Sequence, residues 1–203
     1  MVSGNWSGVS ILLNDSFGYF DFYDTIYLYG GQPDIQIASL NDNPVKEIIS
    51  TYVDTIIENI YIAVIYDFDK NNISYFSLET YEEGINMLSY GDFNGDGFND
   101  IIVASNPWFF WGVLYNDGTG NFSLPVYYDT EFPIMDIAVG DINGDSIDDI
   151  LFGGYHLEIH YGTPTGGFDY QFLDYYRGNV ELFDLDFDGD LDIATNLAFG
   201  QTI

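Results

Sequence analysis

The sequence predicts an all-β fold of repeated four-stranded antiparallel units, and three observations predict it. An acidic, glycine-bearing stretch recurs: GDFNGDGFNDIIVAS from Gly91, GDINGDSIDDILFGG from Gly140 and FDLDFDGDLDIATN from Phe183. Apolar residues precede each copy at period two, as in strands with one buried face, and a short apolar, strand-like run follows it. Between copies lies a second motif: an apolar strand, a turn rich in Asn, Asp or Gly, and an aromatic opening the next strand, which reads as a β-hairpin. No segment sustains helical periodicity.

Taken in order, GVSILLNDSFGYF gives an N-terminal hairpin near residues 8–24. A first unit near 35–80 follows, with Ile35 and Ile37 before a worn acidic copy, ASLNDNPVKEIIS, and Ile48 and Ile49 after it. Its hairpin is IAVIYDFDKNNISYFSL. A second unit near 85–130 carries Leu88 and Tyr90, the loop, Ile101 to Val103 and the hairpin WGVLYNDGTGNFSL. A third near 134–172 carries Ile137 and Val139, the loop, Ile150 to Phe152 and LEIHYGTPTGGF. A fourth near 178–203 has Val180 and Leu182, the loop, Ile193 and Ala194, and a tail GQTI that reads as the start of another strand. Phe20, Phe76, Phe122 and Phe168 hold equivalent places in the hairpins. Radially repeated four-stranded sheets are the blades of a β-propeller. About four blades are expected in a single propeller domain over residues 1–203. Two arrangements fit: a fragment of a larger propeller, which is favoured, or a compact four-bladed ring closed by the N-terminal hairpin.

Composition narrows the function. Of 203 residues, 47% are hydrophobic and 19% aromatic, which sets the chain apart from disordered acidic tails. Lys46, Lys70 and Arg177 stand against 33 acids, for a net charge of −30. Such a surface repels nucleic acid and anionic membranes, so cations are its natural partners. With no cysteine there is neither a disulfide framework nor a thiolate metal site. No apolar run reaches the length of a membrane span, so direct membrane insertion is not expected. The N-terminal MVSGNWSGVS lacks the pattern of an export signal.

The acidic stretch is where chemistry is expected. Numbered from its first polar residue, positions 1, 3, 5 and 9 hold Asp92, Asn94, Asp96 and Asp100; Asp141, Asn143, Asp145 and Asp149; and Asp184, Asp186, Asp188 and Asp192. Short carboxylates and amides at alternate positions converge their oxygens, and glycine at position 6 permits a tight turn. Ca²⁺ takes six to eight oxygens, including backbone carbonyls, so position 7 (Phe98, Ile147, Asp190) is expected to contribute its carbonyl. Crowded carboxylates repel one another, and a divalent cation removes that cost. The start D-x-N-x-D-G is shared with the EF-hand, but position 12 is Val103, Phe152 or Thr195 rather than Glu, and the flanks are strands, so that reading fails. Ser146 replaces the position-6 glycine of the second loop and is expected to loosen its turn. The worn copy, with Ser39, Asn41, Asn43, Glu47 and Pro44, carries too little charge to be counted as a site.

These residues resemble the FG-GAP and VCBS repeats, the calcium-loop blades of integrin alpha-subunit propellers and of many microbial surface proteins. The resemblance is strong from about residue 85 onward, in DFNGDGFNDIIVAS followed by GVLYNDGTGNF, and weaker before it. It implies β-propeller blades, loop-bound Ca²⁺, an extracellular or cell-surface location and a role in adhesion or ligand binding, without catalysis by the repeat. The leading expectation is a calcium-binding, non-catalytic module that binds a protein or glycan. The alternative is an accessory propeller of a secreted enzyme, such as a polysaccharide-degrading one. A halophilic host is a third explanation of the acidity, but the regular 1-3-5-9 placement argues against it.

Three further stretches stand out. HLEIH places His156, Glu158 and His160 on one face of a strand, where an exposed polar face is expected rather than a metal set. GTPTGG lacks the lysine of a phosphate-binding loop. NPWFFWG lies between the second and third strands of its unit, on the face opposite the acidic loops. There Trp108, Phe109 and Trp111 are candidates for ligand binding, against the simpler expectation that they pack between blades.

Overall fold

The computed structural model describes residues 6–29, 34–54, 59–67, 69, 71–78, 85–106, 109–174 and 178–196, and every regular element among them is a β-strand. Three sheets are four-stranded and antiparallel, with strands in chain order. The first comprises β3 (Ile35–Ala38), β4 (Glu47–Asp54), β5 (Asn59–Ile65) and β6 (Ile73–Ser77). The second comprises β7 (Ile85–Gly91), β8 (Asp100–Ser105), β9 (Phe110–Leu114) and β10 (Val126–Asp129). The third comprises β11 (Ile134–Gly140), β12 (Asp149–Gly154), β13 (Leu157–Gly162) and β14 (Phe168–Asp174). Two further sheets are two-stranded: β1 (Trp6–Asn14) with β2 (Phe20–Tyr29), and β15 (Val180–Phe183) with β16 (Asp192–Thr195).

The chain divides into two compact units, residues 1–38 with 44–83, and residues 39–43 with 84–203. In the first, alternate residues of the β1–β2 hairpin, Val9, Ile11, Ile26 and Leu28, join Ile48, Ala63 and Ile65 in one core. Toward the turn both strands leave that core, and Leu12, Leu13, Phe20 and Phe22 are exposed. Ile35 and Ile37, expected on a buried face, are also exposed in the short strand β3.

In the second unit the inner strands β8 and β12 are buried along their whole length. Period-two alternation then gives each face its own neighbours. Ile150 and Phe152 of β12 pack with Phe93, Ile102, Ala104, Trp111 and Val113, while Leu151 packs with Leu157, Ile159 and Val180. Because Ile150 pairs with His160 and Phe152 with Glu158, the polar face of β13 looks into the first of these clusters. Accordingly His156 and Glu158 are buried, at 4% and 8% exposure, which corrects the expectation of an exposed polar face. Their contacts are imidazole to carboxylate, His156 Nε2 to Glu158 Oε1 at 3.8 Å and His160 Nε2 to Glu158 Oε2 at 3.6 Å, among aromatic rings.

Trp111 sits in the same core at 0% exposure, stacked on Tyr128 with ring centroids 4.3 Å apart and edge-on to Phe168 at 5.0 Å. It cannot meet a ligand, so its assignment to a recognition surface is wrong and the packing expectation holds for this residue. Phe109 is exposed and Trp108 lies outside the described residues. Truncating a buried Trp removes a large packed volume, so Trp111→Ala should destabilise the protein by about 3–5 kcal/mol, measured as a shift of the urea midpoint.

Candidate functional site

The three acidic loops adopt one backbone form. Positions 4 and 6 have positive φ in each: +72° and +90° at Gly95 and Gly97, +77° and +71° at Gly144 and Ser146, and +64° and +100° at Phe187 and Gly189. Ser146 therefore takes the left-handed conformation instead of altering the turn. Position 4 is thus a second left-handed place, marked in the sequence by Gly95 and Gly144 and concealed by Phe187 in the third loop.

Side-chain oxygens hold this backbone by accepting its amides. Gly95 and Asp96 N–H donate to Asp92 Oδ1 at 2.7 and 3.1 Å, and Gly97 N–H donates to Asp92 Oδ2 at 2.7 Å. Asp141 receives Gly144, Asp145 and Ser146 in the same manner, at 2.8, 3.1 and 2.8 Å. Asp184 receives Asp188 and Gly189, each at 3.1 Å. Position 3 accepts the amide of position 5, and position 5 that of position 7, in all three loops. In the third loop, carboxylate oxygens of Asp184, Asp186 and Asp188 lie within 4.8 Å of one another. The first two loops place an amide oxygen, from Asn94 or Asn143, where the third has Asp186.

Position 9 does something the sequence did not disclose. Asp100 is fully buried, and its two oxygens accept from two different segments: Phe93 N–H of its own loop at 3.2 Å and Asn116 N–H of the following hairpin at 2.8 Å. Asp149 repeats this with Ile142 at 2.9 Å and Gly162 at 2.9 Å. Burial raises both carboxyls, Asp100 to about 7 and Asp149 to about 6, with neighbouring carboxylates adding to the effect. Asp192 receives Leu185 N–H at 3.0 Å on one oxygen.

Position 8 reaches the preceding repeat. Asp148 Oδ2 accepts Asp92 N–H at 2.8 Å, and Asp148 N–H donates to the Asp92 carbonyl at 2.9 Å. Asn99 Nδ2 donates to the Ser39 carbonyl at 2.9 Å, the equivalent point of the worn loop. Leu191, the third residue at this position, packs where a side chain on Gly140 would clash, at 2.8 Å. A Cβ on Gly91 would likewise meet Asp148 at 2.8 Å, which explains the glycine before the first loop. The worn loop keeps the position 3 to 5 contact, Asn43 N–H to Asn41 Oδ1 at 2.7 Å. Beside the first loop an open cleft is lined by Asn94, Asp96, Tyr115, Pro164, Thr165 and Gly166.

Asparagine at position 100 would present one acceptor and one donor where two backbone amides need acceptors. Asp100→Asn should therefore destabilise the fold by about 1–3 kcal/mol, read from chemical denaturation in excess chelator. Phe187 is 84% exposed and left-handed, so it pays for that backbone form without packing in return. Phe187→Gly should be neutral or stabilising, by up to about 1 kcal/mol, in the same measurement.

Residues 92–152 match the family model of the FG-GAP-like repeat. No curated protein matches the chain. The match starts on the first carboxylate of one loop and runs through the second loop to Phe152, across the amide-holding carboxylates, the hairpin and the contact between repeats. Over these residues the chain is similar to the FG-GAP-like repeat.

Proposed function

We propose that the chain is a calcium-stabilised, non-catalytic β-propeller module that binds a protein or glycan at a cell surface or outside the cell. The observation that carries the reading is the shared geometry of the three loops. In each, side-chain oxygens from positions 1, 3 and 5 line a turn whose backbone is already held in place. The donor set is all oxygen, as a hard divalent cation requires. Asp92, Asn94 and Asp96, then Asp141, Asn143 and Asp145, then Asp184, Asp186 and Asp188 would hold the ion. Phe98, Ile147 and Asp190 would add carbonyls, and Asp100, Asp149 and Asp192 are close enough in sequence to complete the set. The position-9 carboxylates would contribute through lone pairs left over from their amide contacts.

The FG-GAP-like repeat supports the binding role and the location, because such repeats are typically non-catalytic and occur in extracellular proteins. The net charge of −30 agrees with a cation as the principal partner and opposes nucleic acid. Among the described residues no helix is long and apolar enough to cross a membrane.

Calorimetric titration with calcium should give three sites, one per acidic loop. At ligand concentrations about 10- to 100-fold above the dissociation constant, each site should add about 1.4–2.7 kcal/mol, so chelation should lower the melting temperature markedly. Asp96→Ala should remove one site and Asn43→Ala none. A melting temperature unchanged by chelator would overturn the reading.

A further inference from the structure

Both histidines of the chain and one carboxylate form a box that neither the acidic loops nor the hairpins use. Glu158 of β13 has Phe152 of β12 directly opposite on one side and Phe172 of β14 on the other. His160 stands beside Tyr170 in the next row of the same face. Along the strand, His156 and His160 place their Nε2 atoms 3.8 and 3.6 Å from the two Glu158 oxygens. Further rings close the ends. Phe132 lies edge-on to His156 with centroids 3.6 Å apart, Phe172 is 5.3 Å from the same imidazole, and Tyr170 is 5.2 Å from His160.

The carboxylate is not satisfied inside this box. Both imidazole contacts are longer than a hydrogen bond. Among the described residues no N–H or O–H group donates to Glu158, and His160 Nε2 is itself buried without a hydrogen bond. Taking a carboxylate out of water is costly unless a cation or donors replace that water. The Glu158 side chain keeps 11% of its surface open, so the box has a narrow mouth. Phe132, Tyr170 and Phe172, which flank it, are exposed. Burial and the charges of Glu158 and Glu131 hold the Tyr170 hydroxyl above the usual phenol range, which sets a second carboxylate near the same rim.

We propose that this box takes the ammonium group of a lysine side chain from a basic polypeptide partner. Aromatic faces attract a cation, and the buried carboxylate supplies the opposite charge at the floor. A compact ammonium on an unbranched stem enters a narrow mouth, whereas the planar fork of arginine needs more width. With three strong cations against 33 acids, the chain draws basic partners and has little of its own to fill the site. The inference rests on the binding role proposed above and gives that role a partner, independently of calcium.

His156 and His160 are the only histidines of the sequence, so their carbon-bound ring protons report on the box alone in a magnetic resonance titration. Nα-acetyl-lysine amide is added to the calcium-loaded protein at constant pH and ionic strength. The comparison is Nα,Nε-diacetyl-lysine amide, which has the same stem without the charge. Saturable shifts of both histidine signals are expected with the first compound and none with the second. Glu158→Gln should weaken binding by about tenfold or more, as for loss of a charge-assisted contact. Tyr170→Ala, at an exposed rim position, should also weaken it in a protein that melts as the wild type does, and it decides the matter if Glu158→Gln fails to fold. Three results would each overturn the proposal. The first is no saturable shift, as when a protonated imidazole or one of the chain's own cations already serves the carboxylate. The others are equal shifts with the uncharged compound, and binding unchanged in the folded variants. Calcium titration of the same samples separates the two readings, since a site lost here leaves the calcium response intact.

Discussion

The buried carboxylate at position 9 is the interaction on which the repeat depends. Strands β7 and β8 are neighbours through their ladder, but nothing in a ladder fixes the loop that joins them or the hairpin that follows. Asp100 fixes both, one oxygen accepting from Phe93 in the loop and the other from Asn116 in the hairpin. Aspartate is suited to this because an ionised carboxylate only accepts, and two backbone amides only donate. Burial raises the energy of that charge, and the two charge-assisted bonds offset part of it. The same arrangement at Asp149 shows that it belongs to the repeat and not to one accidental site.

A second layer of contacts passes from repeat to repeat. Position 8 meets the first residue of the preceding loop, by paired hydrogen bonds at Asp148 and by a side-chain amide at Asn99. Asn116 adds a bond from its Nδ2 to the Leu40 carbonyl at 2.8 Å and another to Asn99 at 2.9 Å. The acids in these loops are thus of two kinds. Those at positions 1, 3 and 5 face the turn and are open to solvent in part, while those at positions 8 and 9 are spent largely on backbone amides. The regular spacing conceals that division.

Much of this was legible in the sequence because strands and tight turns have local causes. Period-two patterning marks β7 and β11, short apolar runs mark β8 and β12, and Gly97 and Gly189 mark turns that need a left-handed residue. What was hidden is what depends on partners far along the chain. Nothing in HLEIH says that its polar face meets Trp111 and Phe152, because alternation separates two faces without saying what covers each. Trp111 itself, in a run of aromatics, has a composition that suits a binding surface and a core equally well. The conformation of Phe187 is hidden for the opposite reason: its left-handed backbone is imposed by the loop against the preference of the residue.

The contacts at position 8 also give the array a direction. Each repeat carries a group that reaches backwards, and what it grips is mostly the main chain of the repeat before it, which any side chain there would offer equally. The first residue of a loop is therefore free to diverge in character, as Ser39 has, and still be held by its successor. The gripping residue has less latitude, and where it becomes apolar, as at Leu191, the grip turns from hydrogen bonding to packing against Gly140. Sequence drift is thus absorbed unequally along the array. A loop that has lost its acids can persist as a passive foothold, its main chain still held by the loop that follows.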